Sequence, residues 1–183
     1  MKKTVYKLFW IWDFDKEEKW LNEMAAKGLV LSGVGFCKYV FDDSPADSYN
    51  IRLELLENVP SHPESEKYIR FLEETGAEHV GSYMRWVFFR KKTADGTFDI
   101  FSDIPSRIKH LNRILAFMLP ILILNTGIGI MNLAMFFAKL AGEINNFNAI
   151  GFINLALSVL IAIGTVKIFR KRKKLKKEQT VFE

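Results

Sequence analysis

Two apolar runs near the C-terminal end constrain this chain more than any other feature. Residues 114–138 make twenty-five positions and residues 144–166 another twenty-three, without one Asp, Glu, Lys or Arg in either. A helix needs roughly 20 apolar residues to cross about 30 Å of hydrocarbon, so each run suffices for one crossing. Only residues 139–143 separate the two. The expectation is a tight transmembrane hairpin: a first span at 114–138, an external turn at 139–143 and a second span at 144–166. Residues 1–104 then form a domain of ordinary size for one compact fold, joined to the first span by a juxtamembrane helix at 105–113.

Charge separates the same regions. Residues 1–113 hold seventeen Lys and Arg against eighteen Asp and Glu, so the front of the chain is nearly neutral although the whole carries +5. The excess follows the second run, in Lys167, Arg170, Lys171, Arg172, Lys173, Lys174, Lys176 and Lys177. A folded nucleic-acid binder would carry a basic face on the domain itself, so no direct nucleic-acid partner is expected. Positive charge is retained on the cytoplasmic side of a membrane. Arg107, Lys109 and Arg113 before the first run, and the basic tail after the second, therefore put both termini in the cytoplasm. Lys167, Arg170, Lys171, Arg172, Lys173 and Lys174 are placed to meet anionic lipid headgroups. The single cysteine, Cys37, forms no internal disulfide and suits a reducing compartment. The N-terminal segment, broken by Lys7 and Asp13, is too short an apolar run for a signal peptide.

Within the front domain, the aromatic and β-branched run at residues 5–12 reads as a strand. Asp15 and Glu18 have capping-box spacing, and Trp20, Leu21, Met24 and Ala25 give the following helix an apolar face that ends at Gly28. Residues 29–41 read as one long second strand with bulge points at Gly33 and Gly35. Residues 49–55 alternate as a third strand. Ser61 and Glu64 offer a second capping box, and Tyr68, Ile69 and Leu72 a second helix ending at Gly76. Residues 80–90 read as a fourth strand, Ala94-Asp95-Gly96 as a hairpin, and residues 98–101 as a short fifth strand. A repeat at a spacing of 48 aligns Trp20, Leu21, Met24, Gly28, Gly33, Val40 and Phe41 with Tyr68, Ile69, Leu72, Gly76, Gly81, Phe88 and Phe89. The order predicted is βαββαβ, an α+β fold of ferredoxin-like type, with one sheet face left open. From Asp103 onward a nearly continuous helix containing Pro120 leads into the first span.

No constellation of residues assembles a nucleophile, an acid–base pair or a metal site. His62, His79 and His110 lack metal-ligand spacing to one another or to Cys37, so the chain reads as a non-enzyme without a cofactor. The aromatic residues offer more. Trp10, Trp12 and Trp86 fall on strands that a ferredoxin-like sheet sets side by side, forming an aromatic floor that takes a ligand or another protein, a second copy included. In the apolar runs, Asn125, Gly129 and Asn132 form one stripe, and Gly151, Asn154 and Ser158 belong to another. Small and amide side chains let helices approach and hydrogen-bond. Asn125 and Asn154 lie one residue from the midpoints of their runs, so their amides are expected to bond to each other across the hairpin.

The run Trp20-Leu21-Asn22-Glu23-Met24-Ala25-Ala26-Lys27-Gly28, the later Tyr39-Val40-Phe41, the block from Tyr68-Ile69 through Gly76 to Trp86-Val87-Phe88-Phe89-Arg90-Lys91, and Ser102-Asp103 together resemble a bacterial family of unknown function, DUF2812. Ala77 departs from the tryptophan expected after the glycine. The resemblance implies C-terminal membrane spans and a gene neighbourhood shared with PadR-type repressors, and it brings no activity or catalytic residue. The leading expectation is a membrane-anchored sensing or interaction module in a bacterial cell membrane, antagonising a PadR-type regulator. The alternative is an accessory subunit of a membrane complex such as a transporter.

Overall fold

The computed structural model describes residues 2–101, 103–140 and 150–182. Ser102, most of the expected turn and the start of the expected second span, residues 144–149, lie outside the described residues. The chain forms two compact units, Met1–His110 and Leu111–Glu183.

The first unit repeats one supersecondary pattern. β1 (Lys3–Tyr6), α1 (Phe14–Ala26), β2 (Leu29–Gly35) and β3 (Lys38–Asp43) are followed by β4 (Tyr49–Leu55), α2 (Pro63–Glu74), β5 (Glu78–Tyr83) and β6 (Trp86–Lys92). Each βαββ repeat makes an antiparallel three-stranded sheet, ordered β1-β3-β2 and β4-β6-β5. The correspondence reaches individual pairs. Leu31 opposes Phe41 just before a bulge, and His79 opposes Phe89 just before the other. Gly28 and Gly76 end the two helices at φ +79 and +86, a backbone region that side chains disfavour.

The ferredoxin-like arrangement is therefore corrected: the strand order differs, and the sheet is divided in two. Residues 29–41, expected as one strand, form the β2–β3 hairpin around Phe36-Cys37, and residues 80–90 fall in the β5–β6 hairpin around Met84-Arg85. Two-residue hairpin turns normally use Gly, Asn or Asp to reach positive φ. Here Cys37 (φ 49) and Met84 (φ 54) adopt it, so the usual signal is absent. The second turn is held from outside, where the Arg85 guanidinium donates to the Leu56 carbonyl at 2.9 and 2.5 Å and the Arg85 carbonyl accepts from the Leu56 N–H at 2.8 Å.

Other local expectations change too. β1 ends at Tyr6, so the strand expected at 5–12 covers little of that run, and Trp12 sits in a short 3-10 turn. Residues 98–101 form no strand; Phe98 instead buries its ring with Leu56, Leu72, Ala77, Val87 and Phe89. Neither capping box forms. α1 begins at Phe14, which leaves Asp15 in the first turn, where its charge meets the positive end of the helix. For α2 the cap is His62, whose ring accepts the Glu64 N–H at 3.3 Å ahead of Pro63.

The larger core joins the repeats: Leu21 and Ala25 of α1 pack with Leu31, Tyr39 and Phe41 of the first sheet and Ile51, Leu53 and Phe88 of the second. The second unit is built of helices. α3 (Ile104–Leu140) begins in the first unit and carries Pro120 within it, and α4 (Ile150–Phe182) runs on through the basic tail. Both are long and apolar enough to cross a membrane, over Ile104–Ala138 and Ile150–Thr180.

Candidate functional site

The three tryptophans do not form one sheet floor. Trp10 and Trp12 lie past the end of β1 and stack on each other, with ring centroids 5.1 Å apart and planes within 1°. Trp12 is buried and Trp10 partly exposed. Trp86 starts β6 and meets Phe14 at 6.1 Å and the His110 ring at 5.9 Å. His110 is buried, with the Phe14 ring edge-on at 5.1 Å and the Phe101 ring tilted at 5.0 Å. This aromatic cluster ties the beginning of α3 to the domain.

An exposed apolar surface occurs instead at the hairpin-turn end of the domain, which the sequence reading missed. The Lys7 N–H donates to the Cys37 carbonyl at 3.0 Å, so the end of β1 lies beside the first hairpin turn. The rings of Phe36 and Tyr83 are 5.7 Å apart, which brings in the second turn. Phe36 (72 % exposed) and Met84 (62 %) occupy equivalent positions in the two repeats, and Tyr6 (73 %) and Leu8 (60 %) lie at the same end. Clustered apolar side chains in water mark an interaction surface. The available signal was the repeat itself: at a spacing of 48, Phe36 aligns with Met84, two large apolar residues at equivalent turn tips.

α1 holds two half-buried carboxylates against the sheets. Tyr39 donates its hydroxyl to Glu17 at 2.7 Å. Burial raises the Glu17 pKa, and the Tyr39 hydrogen bond partly offsets it. Burial also raises Glu18, to about 6, against the pull of Arg52, whose guanidinium lies 3.3 Å away. These groups fasten α1 to its neighbours. His79 Nε2 is 2.9 Å from Ser82 Oγ, and Cys37 lies half-buried in a turn rather than in a strand. Among the described residues, no three of His, Cys, Asp or Glu come together to hold a metal ion.

In the second unit the two polar stripes meet. A Cβ on Gly151 would lie 2.7 Å from Asn132 Cβ, and one on Gly129 would lie 2.9 Å from Leu155 Cδ2. Close backbone approach needs glycine at both places. Asn125 crosses to α4, but not to the Asn154 amide. Its Nδ2 donates to the Asn154 backbone carbonyl at 2.7 Å and to Ser158 Oγ at 2.9 Å. The Asn132 amide donates to Ile128 within its own helix at 2.9 Å. Lys167, Arg170, Lys171, Arg172, Lys173 and Lys174 continue α4 as helix.

A tandem βαββ domain followed by two helices apolar enough to span a bilayer defines the class of this protein. The chain belongs to the family described as protein of unknown function (DUF2812), whose pattern matches residues 13–123. No curated protein and no solved structure matches it.

Proposed function

We propose that the chain is a membrane-anchored sensing or protein-interaction module that crosses the bilayer twice, with both termini cytoplasmic. The observation that carries this reading is the exposed apolar end made by Tyr6, Leu8, Phe36 and Met84. α3 and α4 supply the anchor, and the basic continuation of α4 meets anionic lipid headgroups at about 1 kcal/mol per Lys or Arg. The family resemblance makes a PadR-type transcriptional regulator the leading partner, withheld from DNA by the module.

The test is affinity purification of the full chain from detergent-solubilised membranes, with mass spectrometry. The expected result is a recovered repressor that is lost when Phe36 and Met84 are both replaced by Ser. Recovery of transporter subunits, unaffected by these changes, would favour the accessory-subunit reading. Recovery of no specific partner would overturn the module reading.

A further inference from the structure

We propose that β1 receives an extended, acidic segment of another protein as an added strand. The proposal rests on the interaction-module reading and names the chemistry of what the module holds.

The two sheets have four outer edges, and three are occupied. Along β4, the Asn22 amide of α1 donates to the Ile51 carbonyl at 2.9 Å and accepts its N–H at 2.8 Å, and Glu18 accepts from Leu53 N at 3.4 Å. The outer edges of β2 and β5 meet. Arg90 donates to the Leu31 carbonyl at 3.0 Å, and a Cβ on Gly81 would lie 3.2 Å from Val34 Cγ2. β1 differs. Its register against β3 pairs Lys3 with Phe41 and Val5 with Tyr39, and the next odd residue, Lys7, donates to Cys37. Odd residues therefore bond inward, and the N–H and C=O groups of Thr4 and Tyr6 point away from the sheet. No hydrogen bond among the described residues reaches these four groups, and both residues are exposed.

An open strand edge is a template for another strand, and short length with lysines, as in β1, deters pairing with a second copy of the same edge. Charge selects the occupant. Lys2, Lys3 and Lys7 are exposed on this segment, and residues 2–12 contain no carboxylate. A second copy of β1, in the antiparallel register that uses all four outward groups, would set Lys3 opposite Lys7, and like charges placed opposite are unfavourable. A strand with carboxylates opposite Lys3 and Lys7, and apolar side chains opposite Thr4 and Tyr6, satisfies backbone, charge and the exposed Tyr6 ring together.

The test uses the full chain in phosphatidylcholine nanodiscs and the labelled peptide Ser-Glu-Val-Thr-Val-Glu-Ser, with a version carrying Lys for Glu as its counterpart. Fluorescence anisotropy should show binding of the acidic peptide and at least tenfold weaker binding of the basic one. Proline is tolerated in an edge strand where its missing N–H faces outward. Thr4→Pro and Tyr6→Pro should therefore keep the melting temperature and lose binding at least tenfold. Lys3→Glu, at an exposed position, should move the acidic-to-basic affinity ratio about fivefold toward the basic peptide. Absent binding, equal binding of both peptides, or affinity unchanged in the proline variants would overturn strand addition. So would concentration-dependent self-association abolished by Thr4→Pro, which would make a second copy the occupant. A partner purified equally well by wild type and Thr4→Pro, a residue outside the apolar end, would overturn strand addition alone; purification of no partner would overturn the module reading beneath it.

Discussion

Glu18 combines two tasks in one carboxylate: it meets Arg52 and accepts from the β4 backbone. Burial lifts its pKa from 4.5 to about 6, so the folded chain binds this proton more tightly than the unfolded chain does. The associated stability is fully present below about pH 4.5 and is lost as pH rises through about 6. Glu17 titrates with the same sign. Glu18→Gln should flatten, without abolishing, the fall in melting temperature between pH 4.5 and 6.5; thermal melts of the full chain check it, and an unchanged slope would refute it. Asn125 is the corresponding residue in the helices. Because it donates to the Asn154 backbone and to Ser158, a double-mutant cycle of Asn125→Ala with Ser158→Ala should give a coupling of about 0.6–2 kcal/mol. Asn154→Leu should couple weakly with Asn125→Ala, since the backbone carbonyl survives it. Unfolding free energies in micelles measure both.

At the scale of elements, the α3–α4 pairing depends on where glycine meets a neighbour. Gly151 faces Asn132 and the Leu133 backbone, whereas a Cβ on Gly127 would meet nothing within 4 Å. Gly151→Ala should lower the melting temperature. Gly127→Ala should leave it unchanged or raise it, because alanine favours a helix by up to about 1 kcal/mol over glycine. Equal effects of the two substitutions would mean that the close approach is not limiting. The hairpins of the front domain depend on a different constraint. Their turns lack glycine and asparagine, so positive φ at Cys37 and Met84 is sustained by the pairing of the flanking strands.

For the whole molecule, the consequential expectation is orientation. Basic residues precede α3's apolar stretch and follow α4's, while Lys139 is the only basic residue in 114–166. Alkaline phosphatase fused after Glu183 should be inactive, and a cytoplasmic reporter at the same position active. The opposite pattern would overturn the proposed topology and, with it, a cytoplasmic partner for the front domain.

The amino-acid sequence by itself determined what is local or periodic. The apolar runs are intrinsic to composition, the faces of α1 and α2 follow from 3.6-residue spacing, and Gly28 and Gly76 end their helices through backbone freedom. The 48-residue repeat was also legible, as was the bulge beside Gly33; Gly35, the other expected bulge point, pairs regularly with Lys38, and the second bulge lies beside Gly81 instead. Only the tertiary structure decided that each long strand-like run is a hairpin, because its turn residues reach positive φ through strand pairing and, in the second turn, through Arg85 and Leu56. It alone assigned Asn22 and Glu18 to the edge of β4, twenty-nine and thirty-five positions along the chain, and left the outer edge of β1 unbonded among the described residues. Spacing along a chain records which residues share a face. Which sheet edges are closed depends on elements distant in sequence, and only their packing settles it.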